Sequence, residues 1–273
     1  MIPLLRAETH RLWARRITRF FPLGLAAVFV IGIGIAWAVI SANDSDVSFV
    51  ADMAGDDRAS GLLGPVSGVL PVMAFVIGAS YIGADAKTGM LEQILTWEPR
   101  RLRLLGARTA IGIVSVGLLA MALAAFFTAL LYGLAAITGT VDGTTGALWL
   151  NVVAVVLRTG LAAGLFCAFG LGVTLLLNNS IGAIVGFLIY WFIIENGLVA
   201  LFLPRVAVWL PVTNAASFGS GSPVQRIAGN AFSAEGPSVV DDHGYLLAGV
   251  VLLVWTVLAL VAANLAFRRR DIA

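Results

Sequence analysis

Two side chains in this 273-residue sequence sit where an ionisable group is costly. Arg158 lies inside the apolar run Val152–Leu177, and Glu195 lies inside the next one, Ile181–Leu203. A charge at membrane depth invites three readings: pairing with another charge, contact with a substrate or gating element, or snorkelling of the side chain to the nearer interface. At 1.5 Å per helical residue, Arg158 sits ~9 Å and Glu195 ~12 Å below the same outer end. The short Asn178-Asn179-Ser180 turn makes the two runs antiparallel neighbours. The expectation is therefore an intramembrane charge pair, Arg158 with Glu195.

Other chemistry is sparse. A P-loop requires Gly-Lys-Ser/Thr after a glycine-rich turn, and the only lysine, Lys87, follows Ala86. The chain cannot hydrolyse ATP by that mechanism. No His-Glu-x-x-His, Gly-x-Ser-x-Gly or zinc-type cysteine spacing occurs, so no catalytic residue and no metal site are expected. His243 follows Asp241 and Asp242, but no further His or Cys accompanies them, which favours a solvated interfacial cluster over a metal site. Cys167 is the single cysteine, so no intrachain disulfide can form.

The elements that position these residues belong to a membrane. Apolar residues make up 60% of the chain and charged ones 12%, with mean hydropathy +0.97. Soluble domains are nearer half apolar and a quarter charged. Six apolar spans are expected at about Phe21–Ser41, Leu63–Ala84, Thr109–Ile137, Val152–Leu177, Ile181–Leu203 and Tyr245–Phe267. The predicted class is an all-α polytopic membrane protein forming a single domain over residues 1–273. Residues 204–244 form an outer loop: Pro204 and Pro211 punctuate a stretch too short to cross and too apolar for an open loop, read as short re-entrant or interfacial helices. The Gly/Ser/Pro-rich stretch Gly219–Ser238 reads as exposed loop.

Residues 1–20 precede the first span as an amphipathic helix. Ile2, Leu5, Leu12, Trp13, Ile17 and Phe20 share a broad apolar face, while Glu8, Arg11, Arg15 and Arg19 run up the other side. Arg16 intrudes on the apolar face, where its stem can snorkel. Such a helix lies in the interface plane. The run Phe20–Ile40 is too long for the apolar core of a cleaved signal and reads as a span. Thirteen of the 17 Lys and Arg residues fall in the N-terminal segment, in Lys87–Arg108 and at Arg268–Arg270, which puts both termini on the cytoplasmic side.

The most polar cytoplasmic stretch is 85–108, DAKTGMLEQILTWEPRRLRLLGAR. Met90, Leu91, Ile94 and Leu95 share one helical face, with Glu92 and Gln93 opposite. Trp97-Glu98-Pro99 ends that helix, and Arg100, Arg101, Arg103 and Arg108 form the basic foot of the third span. This Thr-Gly-x-Leu helix, Pro-Arg-Arg turn and basic run, together with the basic amphipathic N-terminus, six spans and Arg-rich end, resembles the permease subunits of ABC-2 type transporters.

The resemblance implies an interfacial elbow helix at residues 1–20 (Leu5, Leu12, Trp13, Arg15, Arg16 and Arg19) and a coupling helix at 85–108. Leu91, Glu92, Ile94, Leu95, Trp97, Pro99, Arg100, Arg101 and Arg103 would dock on a separate ATP-binding subunit. It further implies a second permease chain, identical or different, and location in a bacterial plasma membrane. ATP and Mg would be held by the partner, with no cofactor in this chain. The lipid bilayer is a partner, and nucleic acid is not. Spans rich in Phe, Leu, Val and Ala suit outward movement of an apolar or amphipathic cargo, such as a drug, antibiotic or lipid-like molecule. An ion-coupled secondary transporter, resting on Glu195, and a non-transporting scaffold are the alternatives.

Overall fold

The computed structural model describes residues 2–42, 59–87, 101–138, 146–199, 202–228 and 238–269. Helix α1 (Ile2–Ala14) bends at Arg15 into α2 (Arg16–Ala42). The long helices α3 (Ala59–Lys87), α4 (Arg101–Thr138) and α5 (Gly146–Leu177) follow. Next come α6 (Ser180–Ile189), which continues as a π-helix over Tyr190–Val199, and the short helices α7 (Pro204–Ala207) and α8 (Pro211–Ser220). Strands β1 (Val224–Ala228) and β2 (Ser238–His243) then pair, and α9 (Tyr245–Arg269) ends the fold. Six of these helices are long and apolar enough to cross a membrane.

Helices α3 and α5 form the centre, and α5 also packs against α4, α6, α8 and α9. The span in α3 is 83% buried, that in α2 only 11%. Apolar side chains on α2, α6 and α9 therefore point outward, as on helices that face lipid rather than water. Lipid gives little hydrophobic drive for helix association, so close backbone packing must hold the centre together. A Cβ on Gly78 would collide with the Cys167 carbonyl oxygen, and one on Gly170 with that of Phe75. Gly164 faces the carbonyl of Ile113 and Gly160 that of Gly117, so this Gly-x-x-x-Gly pair packs α5 on α4 within the chain. Gly186 has open space around it.

The turn at 178–180 has the expected tightness. Asn178 adopts φ 51°, and the Asn179 side chain accepts from the Ile181 and Gly182 amides at 3.1 Å each, capping α6. Within the π-helix, the Asn196 side-chain Nδ2 donates to the Trp191 carbonyl at 2.9 Å.

Three expectations need correction. The N-terminal amphipathic helix ends at Ala14 rather than Phe20, with a bend at Arg15, and Arg16 already opens the first span. Part of the loop expected over Gly219–Ser238 is strand: β1 and β2 pair antiparallel from Val224↔His243 to Ala228↔Ser238, a short hairpin in an otherwise helical fold. The β-branched residues Val224, Ile227, Val239 and Val240 favour strand there. The third correction concerns Arg158 and Glu195.

Candidate functional site

Helix α8 is packed against α3, α5 and α9. Pro211 occupies its first turn and Leu210 its N-cap, which offers no side-chain acceptor to the free amides. Glu195 supplies that acceptor from another helix. Its Oε1 accepts from the Thr213 amide at 2.6 Å and the Thr213 hydroxyl at 2.9 Å, with the Glu195 side chain buried. A carboxyl at this position also complements the positive end of the helix dipole.

The other end of α8 meets Arg158. Gly221 closes the helix in the left-handed region at φ 81°, its amide donating to the Ser217 carbonyl at 2.9 Å. A Cβ there would collide with Arg158 Nη2, so glycine is needed both for the backbone angle and for the guanidinium. The Arg158 guanidinium also lies 4.8 Å from the centre of the Tyr245 ring, a cation–π contact. Thr159 Oγ1 donates to the Gly219 carbonyl and Ser67 Oγ to that of Ala216, each at 3.4 Å.

No ion pair joins Arg158 to Glu195 among the described residues. Each takes one end of α8, with the acid at the helix N-terminus and the base at its C-terminus. Thr213 and Gly221 are eight residues apart, so the two charges bind sites separated by about 12 Å of helix. Depth and adjacency of α5 and α6 pointed to a pair, but the chain returns and wedges α8 against α5 beside them.

The same end of the fold is completed by Asn214 and His243. Asn214 Nδ2 donates to the Val208 and Leu210 carbonyls at 2.7 Å each, and its Oδ1 meets His243 Nε2 at 3.0 Å. His243 stacks on Trp209 at 5.1 Å, and Trp255 Nε1 donates to the Trp209 carbonyl at 2.9 Å. This histidine therefore clamps the hairpin onto α8 instead of sitting in solvent. No cluster of three metal-ligating side chains occurs among the described residues.

The opposite end carries a second buried cluster. Glu8 on α1 is closed to solvent. Its Oε2 lies 3.2 Å from Arg108 Nε on α4 and accepts from the Tyr81 hydroxyl on α3 at 2.5 Å. Its Oε1 pairs with Arg11 Nη1 at 2.8 Å. Arg15 Nη1 donates to the Ser80 carbonyl at 2.9 Å, and the Arg15 and Arg108 guanidinium carbons stand 5.5 and 5.7 Å from the Tyr81 ring centre. One carboxyl thus ties α1 to the feet of α3 and α4, the helices that flank residues 88–100.

Sequence reasoning put Glu8 on the polar face with Arg11, Arg15 and Arg19; the structure keeps Glu8 beside Arg11 but buries it against Tyr81 and Arg108. The overlooked signal is that Glu8 is the only acidic residue before Asp44, amid five arginines. Of the elbow residues, Leu12 is buried, Leu5 and Arg15 are partly buried, and Trp13, Arg16 and Arg19 are exposed. Arg19 Nε donates to the Trp13 carbonyl across the bend. Leu91, Glu92, Ile94, Leu95, Trp97, Pro99 and Arg100 lie outside the described residues. Arg101 opens the α4 backbone, and Arg103 is partly buried in its first turn.

Between the two ends, a cavity of about 300 Å³ opens among α3, α5, α6, α8 and α9. Its wall is almost entirely carbon. Phe75 and Phe187 stack there at 3.8 Å, joined by Phe169, Tyr190, Pro211 and Trp255.

No family model matches this sequence, and no curated protein matches it.

Proposed function

We propose that this chain is the membrane-spanning permease subunit of an ATP-driven ABC exporter of the ABC-2 type. In this reading it sits in a bacterial plasma membrane with both termini cytoplasmic, paired with a second permease chain. Energy comes from a separate ATP-binding subunit docked on residues 85–108, since this sequence has no P-loop of its own.

The observation that carries the proposal is the Glu8 carboxyl, bound at once by Tyr81 on α3 and Arg108 on α4. These helices lead into and out of residues 88–100. A partner that displaces that segment would move both feet and α1 as one unit, which is what transmission of a nucleotide-driven stroke requires. The carbon-lined cavity favours an apolar or amphipathic cargo.

Affinity purification from the native host tests the proposal. An ATP-binding protein should co-purify, the isolated chain should show no ATPase activity, and hydrolysis should appear with the partner. Robust hydrolysis by the chain alone would refute it. One observation favours a second reading, an ion-coupled carrier: Glu195 is a buried carboxyl inside a span. Cargo movement driven by a proton or sodium gradient without nucleotide would select that reading.

A further inference from the structure

Arg158 carries a charge that nothing in the fold balances. It lies within an apolar helix long enough to cross a membrane, yet among the described residues no carboxylate pairs with it and no oxygen accepts from it. Its Nε is closed off from solvent, while the side chain as a whole is only partly buried, so the two Nη groups are the part that reaches the surface. The Tyr245 ring, 4.8 Å away, offsets some of the charge but offers the N–H groups no acceptor. A guanidinium that meets lipid in this condition is costly, and an anion brought to it is correspondingly favoured.

The surroundings decide which anion. Helical side chains lean toward the N-terminus of their helix, which carries the guanidinium to the level of Tyr245, the residue that opens α9. Tyrosine at the start of a span marks the headgroup level of a bilayer. From there α5 and α9 run side by side in the same direction: Thr256 Oγ1 donates to the Leu165 carbonyl at 3.4 Å, and Gly172 packs on Ala259. Near Arg158 and Tyr245 these two helices expose Leu157, Leu161, Leu246 and Val250, which can hold only carbon. An anion that fits both the cation and this surface must carry alkyl chains. We infer that Arg158 binds the phosphate of a membrane phospholipid. Its Nη groups donate to two phosphate oxygens in the planar fork that suits this anion, and the acyl chains lie along α5 and α9. The inference goes beyond the transport reading and rests only on the apolar helices spanning a bilayer.

The test uses the full chain, delipidated in dodecyl maltoside, and a dioleoylphosphatidylglycerol whose head group carries a photoactivatable diazirine. After irradiation, peptide mapping should place adducts around Leu157–Leu161 on α5 and at Tyr245 and Leu246 on α9. Unlabelled dioleoylphosphatidylglycerol should displace the probe from these positions. Dioleoylglycerol, with the same tails and no phosphate, and inorganic phosphate, with no tails, should not. Arg158→Gln should lower the adduct yield there about tenfold or more, the loss expected for hydrogen bonds to a charged group. Arg158→Lys keeps the charge without the fork and should fall between. Arg205→Gln removes an exposed arginine from α7, which contacts β1 at the same end, and should change nothing. Adducts absent from these positions, or undiminished in Arg158→Gln, would overturn the inference. Equal displacement by dioleoylglycerol would reduce the site to a groove for tails, and equal displacement by inorganic phosphate to a site for any small anion. Either result overturns the phospholipid assignment. If Arg158→Gln does not fold, the adduct map and the ranking of competitors on the unaltered chain still decide. None of these readouts involves nucleotide, so failure of the phosphate site is separate from failure to recover an ATP-binding partner.

Discussion

Glu8 and Arg108 form an ion pair at 3.2 Å with both side chains withdrawn from solvent, one on helix α1 and the other near the start of α4. Exposed ion pairs contribute little, but removing one partner of a buried pair leaves an uncompensated charge and typically costs ~3–5 kcal/mol. Glu8→Ala or Arg108→Ala alone should therefore lower the thermal stability of the purified protein markedly. Glu8→Leu with Arg108→Met, which leaves only the half-exposed Arg11 without its partner, should recover much of the loss. A double variant as unstable as the worse single one would show that the pair does not act as a unit.

Tyr81 gives a milder probe of the same cluster. Tyr81→Phe keeps the ring between Arg15 and Arg108 but removes the hydroxyl that donates to Glu8. The expected stability loss is about 1–3 kcal/mol, the range for a hydrogen bond to a charged group. If α1, α3 and α4 move together during transport, this variant should also lower transport per ATP hydrolysed in the reconstituted complex. Stability and coupling both unchanged would remove the hydroxyl from either role.

Docking through residues 85–108 is testable on the face that the sequence assigns to it. Leu91→Asp or Ile94→Asp should force a charge into a buried contact, and Glu92→Arg should reverse one at its edge. Each should uncouple hydrolysis from transport while membrane insertion remains intact. Unchanged partner binding and transport in all three would reduce the segment to a topology signal.

Gly221 should tolerate no side chain. Gly221→Ala imposes a positive φ costing about 1–2 kcal/mol and pushes a methyl into the Arg158 guanidinium. Gly186→Ala, in open space, should be close to neutral in the same thermal unfolding measurement. Equal effects at the two positions would contradict the C-cap described for α8.

The spans were legible because twenty-residue apolar runs need no partner to be recognised, and the asparagine turn at 178–180 carried its own capping chemistry. The two charged clusters were not. Glu8 sits at a helix position that amphipathic spacing assigns to solvent, and only the arrival of Tyr81 and Arg108, 73 and 100 residues later, turns that position inward. Arg158 and Glu195 stood out as buried charges, but their partners are backbone ends of a helix with no ionisable residue of its own to announce it. Pairing rules that consider only side chains overlook such partners.

That arrangement makes the last prediction the most discriminating. Glu195→Ala removes the acceptor for the Thr213 amide and hydroxyl, so it should destabilise by about 1–3 kcal/mol through an unsatisfied buried donor. Arg158→Ala removes the cation over Tyr245 and beside the closing turn of α8, and should also destabilise. A direct ion pair would make the double variant much better than the sum of the singles. Groups about 12 Å apart along α8, with no shared side-chain partner, should instead add to within about 0.5 kcal/mol. The exchange Arg158→Glu with Glu195→Arg should be worse than either alanine variant. It sets a cation against the free amides of Thr213 and an anion against the carbonyl end at Gly221, so both ends of the helix meet the wrong charge. A double-mutant cycle by thermal unfolding in nanodiscs, run beside the exchange variant, separates the two cases. A coupling energy of about 2 kcal/mol or more, the level typical of contacting groups, or rescue by the exchange, would restore the direct pair and refute the role of α8 as the shared partner of both charges.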